Sequence, residues 1–451
     1  MASIPGSHYD IFAPGQTVNF GVTADPNTVP PPVPGDFNLE VITNATGTGS
    51  FATAAGYQGL AILSTKGDVL TALHGNYGIV DAGGSDLIVL GDGSESVGGA
   101  LGDTLIGGSG LNQFIDGHIG HQSIGGGSGG SETIWGGPGD TIRGGTSGNE
   151  TIGGVAGDTI IGGGGNEFIA GDRGNQSIVA GNSGNETIWG GAGDTIHGSA
   201  GANVTIGGMA GDTIIGGTTG NEFIDGSRGG QSITGGNGAN DSIWGGPGDT
   251  ISIGSGTNVT VGGVGDTLIG GSAGNQFIDG SLGSTSIMGG TGGNQTIWGG
   301  AGDTIQGGSA GNETIAGVSG TTITGGAANT FFDGTSGNES VVAGSGNSTI
   351  WGGAHDTVQG ASGSGSALIG FAGGNETLWD NGVTTTGHDS VSTFSQAGGD
   401  RVSLNSATDT IANVLGTAST SGGNTTVTLH DGSTITFIGI SSVNNTFFTT
   451  H

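Results

Sequence analysis

Between Leu105 and Leu378 an apolar residue returns every 8 to 10 positions, each time inside a phrase close to Thr-Ile-x-Gly-Gly. The series runs Leu105, Ile115, Ile124, Ile134, Ile142, Ile152, Ile160, Ile169, Ile178, Ile188 and onward to Leu378. Its spacings mostly alternate between short and long, and two together make about 18 residues. This pattern predicts two short parallel strands per coil, joined by Gly-rich turns and stacked so that the apolar side is buried. The predicted fold is an all-β, right-handed parallel β-roll or β-solenoid with about 18 residues per coil and adjacent coils about 4.8 Å apart. A longer period lies over the short one, because Trp recurs at Trp135, Trp189, Trp244, Trp298 and Trp351.

Three regions separate along the chain. Residues 1–85 lack the repeat, hold Tyr9, Tyr57 and Tyr77, and carry a Pro-rich loop from Pro26 to Pro34. Phe37–Ile42 and Leu60–Leu63 read there as strands, and the region as a β-rich N-terminal cap. Residues 86–380 are the Gly-rich repeat. Residues 381–451 contain longer strand patterns, Asn424–Leu429 and Ser433–Ile438, and read as a C-terminal β cap.

Composition narrows the class. Gly accounts for 110 of 451 residues and Pro for only 9, which is neither collagen nor, given the phased Ile, a disordered polymer. Five basic residues, Lys66 among them, face 37 acidic ones, a formal charge of -32. That balance excludes nucleic acid and anionic membranes as partners and favours cations. Cysteine is absent, which removes disulfides, thiolate metal sites and cysteine nucleophiles. The N-terminal Met1–Gly6 has no basic region or apolar run, so no classical signal peptide is expected, and no apolar stretch is long enough to insert in a membrane.

The candidate chemistry lies two positions before each inward Ile. On one strand this position holds Asp103, Asp140, Asp158, Asp194, Asp212, Asp249, Asp266, Asp303 and Asp356, interrupted by Gln122, Gln176 and Gln231. On the other it holds mostly Glu or Gln, such as Glu132, Glu150, Glu167 and Glu186, with Asp241 in the same place. Carboxylates at each turn of a Gly-rich coil suit Ca2+, which takes six to eight oxygens and accepts turn carbonyls among them. The ten Asp residues are therefore the expected metal ligands; the alternative is that they are solvated turn residues.

The repeat resembles the RTX family of haemolysin-type calcium-binding repeats, whose phrase is Gly-Gly-x-Gly-x-Asp-x-hydrophobic-x. Gly190-Gly191-Ala192-Gly193-Asp194-Thr195-Ile196 carries it one residue short, and Gly235–Ile243 carries it one residue long. The resemblance implies a β-roll that folds on binding calcium outside the cell. Ala397–Leu404 and Phe437–Ile440 resemble the cap and export region of such proteins. The hydroxyl-rich tail Val443–His451 is similar to their uncleaved signal for type I secretion machinery. The resemblance thus implies a secreted, extracellular or cell-surface protein.

The residue after each inward Ile points outward again, and on the Glu-bearing strand this column contains the five recurring Trp. Exposed Trp at that regularity suits a partner, either a second copy of the chain or a surface glycan; the alternative is that each Trp lies flat over neighbouring Gly and shields the sheet. The expected function is a calcium-binding structural protein of the cell surface, surface layer or extracellular matrix; the alternative is a secreted adhesin or glycan-binding module. No His pairs with a placed nucleophile, and an enzyme is not expected.

Overall fold

The computed structural model describes residues 18–23, 30–42, 50–51, 55–63, 67, 69–71, 76, 78–83, 85–171, 173–201, 203–363, 365–380 and 387–451. Tyr9, Tyr77, Pro26, Lys66 and the N-terminal hexapeptide lie outside these residues. The chain divides into two units, Met1–Asp225 and Gly226–His451, and each is an all-β, mostly parallel β-solenoid. Shorter β-regions stand at the chain's two ends.

In the first unit the coil alternates a strand of up to six residues with one of about three. Asn112–Gly117, Ser131–Gly136, Asn149–Gly153 and Asn166–Gly171 stack in parallel as one sheet. Ser123–Gly125, Thr141–Arg143 and Thr159–Ile161 stack as the other. Equivalent residues pair rung on rung, Ile134 with Ile152 and Ile142 with Ile160. The ladder also runs back through Ser96–Gly98, Gly78–Asp81, Gly59–Ile62 and Phe37–Ile42 to Val18–Thr23, parallel throughout. These strands are further rungs of the same sheet, and Ser50–Phe51 and Val69–Thr71 add to the other.

β-branched Ile and Thr suit these strands, and alternation sends Ile inward and its neighbours outward. Ile115, Ile134, Ile142, Ile152 and Ile160 are fully buried. Each such side chain contributes roughly 1.5–3 kcal/mol of apolar burial, so the Ile stack is the main cohesive term. Gly is needed where coils touch: a Cβ on Gly163 would lie 1.8 Å from the Gly145 carbonyl oxygen.

The second unit repeats this plan from Ser232–Thr234 and Asn240–Gly245 to Thr377–Trp379 and His388–Ser392. At its C-terminal end Thr434–Phe437 adds in parallel to His388–Ser392, and Asn424–Thr428 turns back antiparallel beside it. A short helix, Ile411–Gly416, starts at Thr410, whose hydroxyl accepts from the Asn413 amide. Phe394, Phe437 and Phe447 pack as a ring cluster, Phe394 stacked on Phe447 at 5.4 Å between centroids. The tail does not hang free: Phe448–Thr450 pairs with Arg401–Leu404, and His451 accepts from the Trp379 indole.

Candidate functional site

The predicted ligands of the Asp column sit inside the coil. Asp103, Asp140, Asp158, Asp194 and Asp212 in the first unit, and Asp249, Asp266, Asp303 and Asp356 in the second, are all at most 3% exposed. They share the parity of the inward Ile, so the same alternation that buries Ile buries them. Asp140 shows the arrangement: one oxygen accepts from Gly137 N in its own turn and the other from Gln122 N on the preceding rung, both at 2.7 Å. Asp158 does the same with Val155 N and Asp140 N. Asp194, Asp212, Asp249, Asp303 and Asp356 repeat it. The carboxylates are staples that hold each turn to the previous one through two charge-assisted hydrogen bonds.

Turn length explains the interruptions in that column. Before Gln122 and Gln176 the turn is one residue longer and passes through His121 and Asn175, both at positive φ. This turn presents a carbonyl rather than an amide, and the Gln side chain donates to it: Gln122 to Gly117 O at 3.3 Å, Gln176 to Gly171 O at 3.0 Å. In the second unit Gln231 does likewise to Gly226 O at 3.1 Å. Glu339 occupies the same kind of turn, behind positive-φ Asn338, but neither of its buried oxygens has a hydrogen-bond partner. Burial first, then repulsion from Asp356 and Asp333, pushes its carboxyl up to about 8.

The opposite column in the first unit sets Glu132, Glu150, Glu167 and Glu186 on four successive rungs. Each is at most 4% exposed and accepts the amide of a turn Gly: Glu132 from Gly127, Glu150 from Gly145, Glu167 from Gly163, Glu186 from Gly181. Glu150 Oε2, Glu167 Oε2 and Glu186 Oε1 have no further partner. Burial, followed by repulsion from Glu167 and Glu132, lifts Glu150 to about 8; burial and Glu167 lift Glu186 to about 7. Asp241 stands in the corresponding column of the second unit, beside Val259.

At one place two rungs of the Asp column converge with a third carboxylate from the longer strand. Asp81, Asp86 and Asp103 each offer an oxygen within 4.8 Å of the others, and all are buried. Asp103 was predicted as a ligand; Asp81 and Asp86 were not. Among the described residues this is the one group of three or more acidic or His side chains that can hold a metal ion. The remaining predicted ligands are distributed singly along the columns. Burial first, then a hydrogen bond with Asp103 and repulsion from Asp103 and Asp86, raises Asp81 to about 10. An all-oxygen, three-carboxylate set fits a hard divalent cation such as Ca2+.

The outward face of the longer strands is aromatic at intervals. In the first unit Trp135 and Trp189 share a column, three rungs apart, at 46% and 48% exposure. Each indole lies against the Gly of the next rung; a Cβ on Gly153 or Gly207 would meet it at 2.3 Å. In the second unit Trp244, Trp298 and Trp351 align in the same way, 44–50% exposed, and Phe277 meets Trp298 edge-on at 5.4 Å. Along the edge of this face runs an exposed Asn ladder: Asn166 donates to Asn149 at 3.1 Å, Asn203 to Asn185 at 3.1 Å and Asn258 to Asn240 at 3.0 Å. Recurrent Gly-Asn-Glu was its signal in the sequence.

No helix among the described residues is long and apolar enough to cross a membrane. The fold belongs to the broad structural class of parallel β-solenoids that includes RTX rolls. Neither the protein-family models nor the curated proteins compared with this chain yield a match.

Proposed function

We propose that the chain is a secreted structural protein of the cell surface or extracellular matrix, whose solenoid units associate side by side through their Trp-bearing faces. The observation that carries this reading is the in-register, half-exposed Trp135 and Trp189 on a face whose two outward columns hold no basic residue. Nearly half of each indole remains open although Gly below accommodates the rest. A ring held that way repeats a contact about every 14 Å, three rungs of strand spacing. Cysteine-free composition and the RTX-like phrase support secretion by a type I route, and the role is structural rather than catalytic. Calcium belongs to this reading as a cation bound locally, because the Asp columns already hold backbone amides.

Replacing Trp135, Trp189, Trp244, Trp298 and Trp351 together by Gly, the residue at other rungs of their columns, tests the reading. The variant should keep its far-ultraviolet circular dichroism and lose the concentration-dependent light scattering of the parent chain. Equal scattering from both proteins would refute lateral association through this face. The exposed Asn ladder beside the Trp column favours a second reading, a glycan-binding surface with amide donors flanking stacking rings. In that case neutral polysaccharide would quench and shift Trp emission of the parent chain and leave the variant unchanged.

A further inference from the structure

On the rung before Asp81 this interior column carries Ile62, and from the rung after it onward the column is Gly. Ladder pairing sets Ile79 opposite Val97 and Val80 opposite Gly98, so Asp81 falls opposite Gly99; the next rungs carry Gly117 and Gly136. This column faces the Asp staples: a Cβ at Gly99 would come within 3.2 Å of Asp103 Oδ2, and one at Gly117 within 2.7 Å of Asp140 Oδ2. At later rungs the space is kept empty of side chain. At Asp81 it receives a carboxylate.

We propose that Asp81, Asp86 and Asp103 form a single calcium site inside the early rungs of the first unit, where Asp81 joins two rungs of the Asp column. Two observations support it independently. The three ligand oxygens converge within 4.8 Å, and Asp81, only 2% exposed, has an Oδ2 that accepts no N–H or hydroxyl and meets the Asp103 carboxylate instead. Its other oxygen takes the Gly83 amide at 3.2 Å, while Asp103 remains a staple, accepting from Asp86 N and Ala100 N. A hard, oxygen-seeking divalent ion offsets the charge of three buried, converging carboxylates. The ion ties Asp81 at the end of a longer strand to Asp86 and Asp103 beside the shorter ones, closing the coil where the Gly-rich phrase has not yet begun.

The inference rests on the calcium part of the reading above, and calorimetry separates the two. The EDTA-dialysed full chain is titrated with CaCl2, with MgCl2 as control, alongside Asp81→Gly and Asp81→Asn. The expected result is one equivalent of calcium for the parent and none for either variant, with all three sharing one circular dichroism spectrum. Asp81→Gly restores the residue of the next rungs, so its folding is not in question. No uptake by the parent means the three carboxyls share protons only, and overturns the site. Uptake unchanged by either substitution, or close to one ion per rung, also overturns it. Light scattering of the calcium-free parent reports separately on lateral association.

Discussion

An aspartate at the start of a three-residue strand offers two oxygens, and in this fold each meets a backbone amide. Asn can accept only one of those bonds and would turn its own NH2 toward the second amide. Asp158→Asn is therefore expected to cost about 1–3 kcal/mol, seen as a lower urea midpoint that is the same with EDTA and with calcium. Glu339 presents the reverse case, a carboxyl in the kind of turn where Gln122, Gln176 and Gln231 donate to a carbonyl. Glu339→Gln supplies that donor to Gly334 and should stabilise the chain by about 1 kcal/mol at pH 8; a lower midpoint would show that the two turns differ. Both effects follow from one legible fact, the shared parity of Asp and Ile. Strand alternation makes them point the same way, so the burial of the carboxylates was readable from Asp140-Thr141-Ile142 alone. What the letters do not reveal is which oxygen meets which amide, because that depends on the rung below.

At the scale of the element, the four stacked Glu of the first unit couple the longer strands to pH. Glu150 binds its proton more tightly in the folded chain, near 8, than a solvated carboxyl does at 4.5. Its contribution is therefore complete below the unfolded value and is lost as pH rises through about 8. Glu186, near 7, acts in the same direction slightly earlier. The charged neighbours that face Glu150 are Glu132 and Glu167 on the adjoining rungs. Thermal unfolding should thus show a midpoint that falls between pH 6 and pH 9. Glu150→Gln should remove at least about 1 kcal/mol of that loss and change little at pH 5. A midpoint that rises with pH would mean the column is ionised and neutralised by something else. The repeat period and the two strands per coil were legible from the phased Ile and the Gly-rich turns. The repeat phrase does not reach the early rungs: Phe37–Ile42 and Gly59–Ile62 lack it and read as strands of a β-rich cap, and they pair in the same ladder. Asp81 was hidden: its place opposite Gly99 exists only once the register is set.

At the scale of the molecule, 37 acidic residues against five basic ones suggested a chain waiting for calcium. Much of that formal charge is interior, where burial raises Asp140, Glu150, Asp266, Glu339 and Asp356, and backbone amides pull Asp140, Glu150, Asp266 and Asp356 the other way. The resemblance to calcium-binding rolls was carried by the Gly-Asp-Thr-Ile phrase, which serves a second purpose here, tying each turn to the last. Asn ladders, Thr-rich outer columns and recurrent Trp all repeat with the coil in each unit. The outer columns were legible from the 54-residue recurrence. The most direct test is far-ultraviolet circular dichroism of the full chain after exhaustive EDTA dialysis at pH 6. If interior carboxylates hold backbone amides, the β spectrum is complete without calcium, and added calcium changes it little. A coil spectrum in EDTA that converts to β only as calcium is added would contradict the account and return the columns to metal binding.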